Sequence, residues 1–220
     1  MSILLPSRGR SDSLYKSVES LRSTAFEPHN IEILIAADDD DINTVNTAVE
    51  LGCNAIVTER FGYSRLHLYC NLLANKARGQ WMMLFNDDAV MSTKNWDSVI
   101  YNLPESILVA DLESVHTAYG LCCFPVVRRW AVEVVGGFSL HTPHTDTYWQ
   151  DVGRATGTIQ QVPVFVMHER ADITGQNNDQ TRADMVADGF RSSQEYFGEH
   201  IQKLIRADII KLTKLLDIQE

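Results

Sequence analysis

Trp81-Met82-Met83-Leu84-Phe85-Asn86-Asp87-Asp88 is the stretch on which the fold turns. Five large apolar residues in succession, with no polar alternation, read as a short strand covered on both faces. The run stops at an amide and two adjacent acids, which repel each other unless a cation or donor group lies beside them. Working back toward the N-terminus, the same unit recurs. A periodic helix carrying Leu66, Tyr69, Cys70, Leu73, Ala74 and Ala77 on one face leads into this strand through Gly79. Before it, Cys53 to Thr58 reads as a strand, and Ile42 to Leu51 as a helix closed by Gly52. Ile31 to Ala37 is a β-branched strand that follows the turn Pro28-His29-Asn30 and ends at Asp38-Asp39-Asp40-Asp41. Ser2 to Leu5 is a first strand, halted by the loop Pro6-Ser7-Arg8-Gly9-Arg10. Ser11 or Ser13 then caps a helix with Leu14, Val18 and Leu21 on one face.

Strand–helix units of this length predict an α/β fold: a single Rossmann-like domain whose mixed, mostly parallel sheet is flanked by helices. In such sheets the loops at the carboxyl ends of the strands form the ligand crevice. Pro6–Arg10, Asp38–Asp41 and Asn86–Asp88 are therefore expected on one rim.

Toward the C-terminus the pattern loosens. Ile107 to Leu112 and Tyr119 to Pro125 read as strands, and Val126 to Val135 as a short helix before Gly136-Gly137-Phe138. The polar segment Ser139 to Thr147 leads into Trp149-Gln150-Asp151, and Val162 to Met167 is a late strand ending at His168-Glu169. A polar loop around Gly175-Gln176-Asn177-Asn178 precedes a helical tail in which Ile201, Leu204, Ile205, Leu212 and Leu216 recur at helical spacing. The expected division is residues 1–175 as the main domain, with halves 1–90 and 91–175, and 176–220 as a C-terminal helical extension.

The chain has 220 residues, 45% hydrophobic and 22% charged, a balance that excludes disorder and coiled coil as the main state. Nineteen basic against 29 acidic residues leave a net charge of −10, which argues against a general polyanion-binding surface. A nucleic acid partner is thus possible but unsupported; Lys203, Arg206, Lys211 and Lys214 read as the solvated face of an amphipathic helix. Cys53, Cys70, Cys122 and Cys123 lack CxxC spacing and sit in apolar stretches, which predicts buried free thiols in a reducing compartment. No apolar run is long enough to span a bilayer, and Met1 leads straight into the first strand without a secretory signal. A soluble, cytoplasmic protein is expected.

Several residue groups could carry chemistry. Asn86-Asp87-Asp88 suits Mg²⁺ or Mn²⁺, which take oxygen ligands from one or two carboxylates and share themselves with a diphosphate; the alternative is a turn with a helix cap. Among Asp38 to Asp41, one acid that accepts from a ribose hydroxyl or base N–H is expected, with Asp39 preferred and Asp41 able to cap a helix. Arg8-Gly9-Arg10 pairs permissive backbone with two guanidinium groups at a helix start, which suits phosphate. Arg65 could reach a phosphate or pair with Glu59. His168 ends a strand and could join Asp88 as a nitrogen ligand. Asp151 could act as a general base or simply pair with Arg154, and Asp146 is its nearest competitor.

Taken in order, Ile3 to Arg10, Ile33 to Asp39, the helix ending Asn71 to Gly79, and Trp81 to Asp88 resemble the nucleotide-binding half of GT-A glycosyltransferases, close to the large family 2. Gly136-Gly137-Phe138 followed by Trp149-Gln150-Asp151 resembles that family's acceptor side, where a Gly-Gly-Phe turn precedes a Glu-Asp pair. The resemblance covers roughly residues 1 to 170. It implies an enzyme that moves a sugar, with inversion, from a nucleoside-diphosphate sugar to an acceptor hydroxyl of unknown identity. It implies Asp88 as main ligand of Mn²⁺ or Mg²⁺ with His168 beside it, Asn86 on ribose or sugar, and Asp87 in support. Pro6, Arg8, Arg10, Asp39 and Arg65 would line the donor site, and Asp151 would be the base. Two departures stand out: the first acid of the DxD motif is Asn86, and the Glu of the Glu-Asp pair is Gln150. They keep open a non-catalytic binding module of the same fold. A sugar nucleotidyltransferase fits less well, because the loop after the first strand has one glycine where GxGxRL is expected.

Overall fold

The computed structural model describes residues 1–169 and 180–217. The polar loop around Gly175 and the expected boundary at 175/176 lie outside the described residues. The chain alternates β1 (Ser2–Pro6), α1 (Ser11–Thr24), β2 (Glu32–Asp38), α2 (Ile42–Glu50), β3 (Asn54–Thr58), α3 (Leu66–Ala74) and β4 (Trp81–Leu84). It continues through β5 (Ala89–Met91), α4 (Trp96–Tyr101), β6 (Val109–Ser114), β7 (Pro125–Arg128), α5 (Arg129–Val135), α6 (Thr145–Thr156) and β8 (Ile159–His168). Two helices, α7 (Gln180–Phe197) and α8 (Glu199–Leu216), complete the described chain.

One mixed sheet of eight strands runs in the order β3-β2-β1-β4-β7-β6-β8-β5. β3, β2, β1 and β4 are mutually parallel neighbours, as the strand–helix repeat predicts. β7 is antiparallel to both β4 and β6, so β6 and its parallel neighbour β8 point the same way as β4. The carboxyl end of β8 thus reaches the same rim as those of β1, β2 and β4.

Alternation along each strand divides the core between the two faces of the sheet. Ile3, Leu5, Ile33, Ile35, Met83 and Phe85 pack under α1, α2 and α4 through Leu14, Val18, Leu21, Ala48 and Trp96. Leu4, Leu34, Met82, Leu84 and Val127 pack on the other face with Tyr69 and Leu73 of α3, Val132 of α5 and Trp149 of α6. The same cluster includes Tyr196 of α7 and Ile201, Ile205 and Leu212 of α8, so the tail helices bury their apolar side against the domain. α6 approaches the sheet closely at Gly153, where a Cβ would fall 2.8 Å from the Ile159 Cβ. Among the described residues, no helix is long and apolar enough to cross a membrane, and all four cysteines are free. Cys70 and Cys122 are buried as expected, whereas Cys53 and Cys123 are half-buried.

The second half adds α4, which the sequence reading did not include, and departs from that reading most between residues 119 and 135. Tyr119 to Pro125 is not a strand: a short 3₁₀ turn covers Thr117–Tyr119, Gly120 follows at φ 69°, and β7 begins only at Pro125. The reason is a side chain. Gln150 Oε1 accepts from the Cys122 N–H at 2.8 Å, and its Nε2 donates to the Gly120 carbonyl at 2.9 Å. These backbone groups are satisfied by α6 instead of a neighbouring strand. The expected helix Val126 to Val135 accordingly splits, with Val126 and Val127 pairing in the sheet and α5 starting at Arg129.

Candidate active site

The three loops expected on one rim do converge there. Arg8 Nη1 donates to Asp38 Oδ2 at 2.7 Å, and Arg10 Nη1 lies 3.1 Å from Asp87 Oδ1. Between them lie two adjoining cavities that share Pro6, Tyr63, Leu66 and Asp87. The smaller, about 100 Å³, is bounded by Arg8, Asp38, Arg60, Tyr69 and Asp184. The larger, about 330 Å³, extends along Arg10, Asn86, Asp88 and His168 to His144, Asp146 and Arg182. Its volume falls in the range of small-molecule sites.

Of the four acids Asp38 to Asp41, the one that lines the smaller cavity is Asp38. As the last residue of β2 it faces inward and is buried, accepting from Arg8 and from the Tyr69 hydroxyl. Burial, reinforced by Asp38, pushes the Tyr69 phenol up to about 12. Asp39, the sequence preference, is exposed and borders neither cavity, because it already belongs to the turn beyond the strand. Asp40 pairs with Arg8, and Asp41 caps α2 through the Thr44 N–H while accepting from the Gly9 N–H at 2.6 Å. Arg65 also stays out: its Nε donates to the Phe61 carbonyl at 3.0 Å and its guanidinium lies over the Phe61 ring. Arg60 lines the cavity instead, tied to Asp184 of α7 at 3.0 Å. The signal for Arg60 was available, since β3 is a fourth parallel strand whose carboxyl-end loop belongs to the same rim.

In the larger cavity, Asp87 and Asp88 are both buried. Asp87 Oδ2 accepts from Ser7 Oγ at 2.8 Å, and burial, with Asp88 adding, pushes its carboxyl up to about 6 against the pull of Arg10. Asp88 Oδ1 lies 3.1 Å from His168 Nε2. Burial alone would raise the Asp88 carboxyl, but His168 and Arg10 together hold it below its ordinary value. Asn86 Nδ2 also contacts His168 Nε2, at 3.1 Å.

No group of three His, Cys, Asp or Glu side chains that could hold a metal ion occurs among the described residues. The chain offers two, Asp88 and His168, and their geometry suits a small hard cation. Two ligands at right angles on an ion with bonds of about 2.1 Å stand about 3 Å apart, matching the 3.1 Å between Asp88 Oδ1 and His168 Nε2. The other ring nitrogen, Nδ1, is buried and has no hydrogen-bond partner among the described residues. The ring is held instead by edge-on packing with Phe124 and His116, at 5.0 and 5.4 Å between centroids.

α6 carries both candidate bases, but five residues at about 100° each put Asp146 and Asp151 on different faces. Asp146 borders the larger cavity; Asp151 does not. Asp151 accepts from the Tyr196 hydroxyl at 2.7 Å, joining α6 to α7. Asp146 accepts from the backbone N–H of Thr147 at 2.7 Å, and burial raises its carboxyl above the ordinary range. The helix is set on the sheet by the Gly136-Gly137-Phe138 turn. Asn71 of α3 exchanges two 2.9 Å bonds with the Ser139 backbone, and Trp149 Nε1 donates to the Phe138 carbonyl at 2.7 Å.

Residues 2–106 match the family model for glycosyl transferase family 2, a little under half of the chain. No curated protein sequence matches the chain. Among solved structures, the fold is similar to the mannosyltransferase PcManGT from Pyrobaculum calidifontis in complex with GDP-Man and Mn²⁺, at TM-score 0.62 and 11% identity over 86% of this chain and 64% of that one. It is similar to S. aureus TarS at TM-score 0.58 and 12% identity, covering 90% of this chain and 44% of that one. It is also similar to glucosyl-3-phosphoglycerate synthase from Mycobacterium tuberculosis with Mg²⁺ and UDP, at TM-score 0.54 and 14% identity over 84% and 78% of the two chains. The chain spans less than two thirds of the first two. Its fold is that of the GT-A glycosyltransferases, as the sequence resemblance implied.

Proposed function

We propose that this chain is a nucleotide-sugar-dependent glycosyltransferase that transfers a sugar, with inversion, to an acceptor hydroxyl. The observation that carries the reading is the meeting of Asp88 and His168 at 3.1 Å on the rim where the Arg8, Arg10 and Asp38 loops converge. The family match over the first half and the shared fold support it.

In this reading the smaller cavity takes the nucleoside. Asp38 accepts from a sugar hydroxyl or base N–H there, while Tyr69 and Arg8 hold its carboxylate in place. The diphosphate lies toward Arg10, with Arg60 at the far side. Asp88 and His168 would hold Mn²⁺ or Mg²⁺, which supplies charge neutralisation for the departing diphosphate. Asn86, whose amide nitrogen lies 3.1 Å from the same ring nitrogen, would give that nitrogen up to the metal and turn to the ribose or sugar. Asp146 is the base: it borders the cavity, and its raised pKa makes it a stronger proton acceptor for an acceptor hydroxyl than an ordinary carboxylate. Asp151, the base implied by the family pattern, is given a different part, anchoring α7 through Tyr196. Residues 1–175 form the transferase domain, and 176–220 an extension whose helix α7 brings Arg182 and Asp184 to the cleft.

The test is hydrolysis and binding of nucleotide sugars. A screen of UDP- and GDP-sugars with Mn²⁺ is expected to show slow donor hydrolysis, lost in Asp88→Ala. Donor binding without any hydrolysis or transfer would leave a binding module instead.

A further inference from the structure

All four carboxylate oxygens of the Asp87–Asp88 pair are already engaged. Ser7 Oγ meets Asp87 Oδ2 at 2.8 Å, and His168 Nε2 meets Asp88 Oδ1 at 3.1 Å. The two remaining oxygens share one partner: Arg10 Nη1 lies 3.1 Å from Asp87 Oδ1 and 3.3 Å from Asp88 Oδ2. The three side chains are 12%, 9% and 10% exposed, so this is a nearly dry ion triad. Two adjacent carboxylates in such a place are tolerated only with a compensating charge, and Arg10 supplies it. Arg10 immediately precedes α1, and its carbonyl accepts from the Leu14 N–H at 2.8 Å, which anchors its backbone to the helix.

A divalent cation that binds Asp88 must arrive beside this guanidinium, and like charges at such separation repel strongly in a site of low dielectric. We propose that Arg10 is the resident counter-cation of the Asp87–Asp88 pair, which competes with a divalent ion for Asp88 and yields that carboxylate when a diphosphate arrives to pair with its guanidinium. Arginine suits both partners, because its planar fork fits carboxylate and phosphate alike. The exchange keeps the site near neutrality throughout: acids with guanidinium before binding, acids with metal and guanidinium with diphosphate after. Its consequence is ordered loading, in which metal alone binds poorly and nucleotide draws it in. The second half of the exchange rests on the donor-site reading above; the competition for Asp88 does not.

Calorimetry near neutral pH separates the two. The probes are MnCl₂ alone, and UDP or GDP with and without Mn²⁺, titrated into wild type, Arg10→Gln and Arg10→Met. Loss of the charge is expected to tighten binding of Mn²⁺ alone by about tenfold or more, equivalent to about 1.4 kcal/mol. It is expected to weaken metal-free nucleoside diphosphate binding by a similar factor. Methionine keeps the apolar stem packed, so it serves if the glutamine variant does not fold. Unchanged or weaker Mn²⁺ affinity in the variants overturns the proposal. If no protein binds either nucleoside diphosphate while Mn²⁺ affinity still rises in the variants, the competition stands and the donor-site reading falls.

Discussion

The two sides of the cleft treat their carboxylates in opposite ways. On the donor side, Asp38, Asp87 and Asp88 sit at the ends of parallel strands and each is met by arginine, with tyrosine, serine or histidine completing the set. On the other side, Asp146 is bonded only from its neighbour Thr147 among the described residues, and burial lifts its pKa with no guanidinium to oppose it, whereas Arg10 pulls down both Asp88, which stays below its ordinary value, and Asp87, which burial still leaves at about 6. In the proposed reading, the side that receives a polyanion has its acids neutralised beforehand, and the side that takes up a proton leaves one acid without a cationic partner.

That contrast breaks most sharply at Asp146. Asp146→Asn is expected to cut transfer by about 10²–10⁴-fold with nucleoside diphosphate binding preserved, measured by steady-state assay and calorimetry. The same variant should melt at a higher temperature at neutral pH. The sign follows from linkage. A carboxyl whose folded pKa exceeds its unfolded value binds more protons in the native state, so stability falls as pH rises from the ordinary carboxylate range through the raised value. The amide removes that fall, and a variant both less active and no more stable would contradict the assignment.

On the donor side, Asp88→Ala is expected to weaken Mn²⁺-assisted nucleoside diphosphate binding by about 10–100-fold, the range seen when groups supporting a metal site are removed. Equal affinity with and without Mn²⁺ in the wild type would erase the distinction between the two sides. A smaller effect tests how the acceptor side is built. Gln150→Glu turns a donor to the Gly120 carbonyl into a second acceptor, and should cost about 1–3 kcal/mol in denaturant melts. It should leave nucleoside diphosphate binding unchanged. Smallest is Asp151→Asn, which keeps an acceptor for the Tyr196 hydroxyl but loses its charge; about 1 kcal/mol of stability is expected to go, with transfer largely retained. Loss of transfer there, with Asp146→Asn active, would restore Asp151 as the base.

Legibility in the sequence followed the same division. β1, β2 and β4 were readable because strands buried on both faces are continuously apolar, and their ends are marked by abrupt changes to charge. Asn86, Asp87 and Asp88 stand where those marks put them. Asp39 was preferred to Asp38, and Arg60 was not singled out: whether Asp38 or Asp39 faces the cleft depends on which residue closes β2, and a one-residue change reverses the side. Tyr119 to Pro125 was misread for a different cause. Its apolar residues resemble a strand, but the backbone partners come from Gln150 on a helix 28 residues away, a contact no local pattern encodes. The bond between Asp151 and Tyr196, 45 residues on, is likewise a contact no local pattern encodes.

By itself, the sequence determined the α/β layering and the rim on which acids and arginines gather, because hydrophobic period and chain punctuation are local properties of the backbone. Tertiary structure alone decided how those charges are shared out. Which acid pairs with which arginine, and which carboxylate on α6 meets the cleft, depend on a side chain's direction and on the dielectric around it. Neither exists until distant segments have packed.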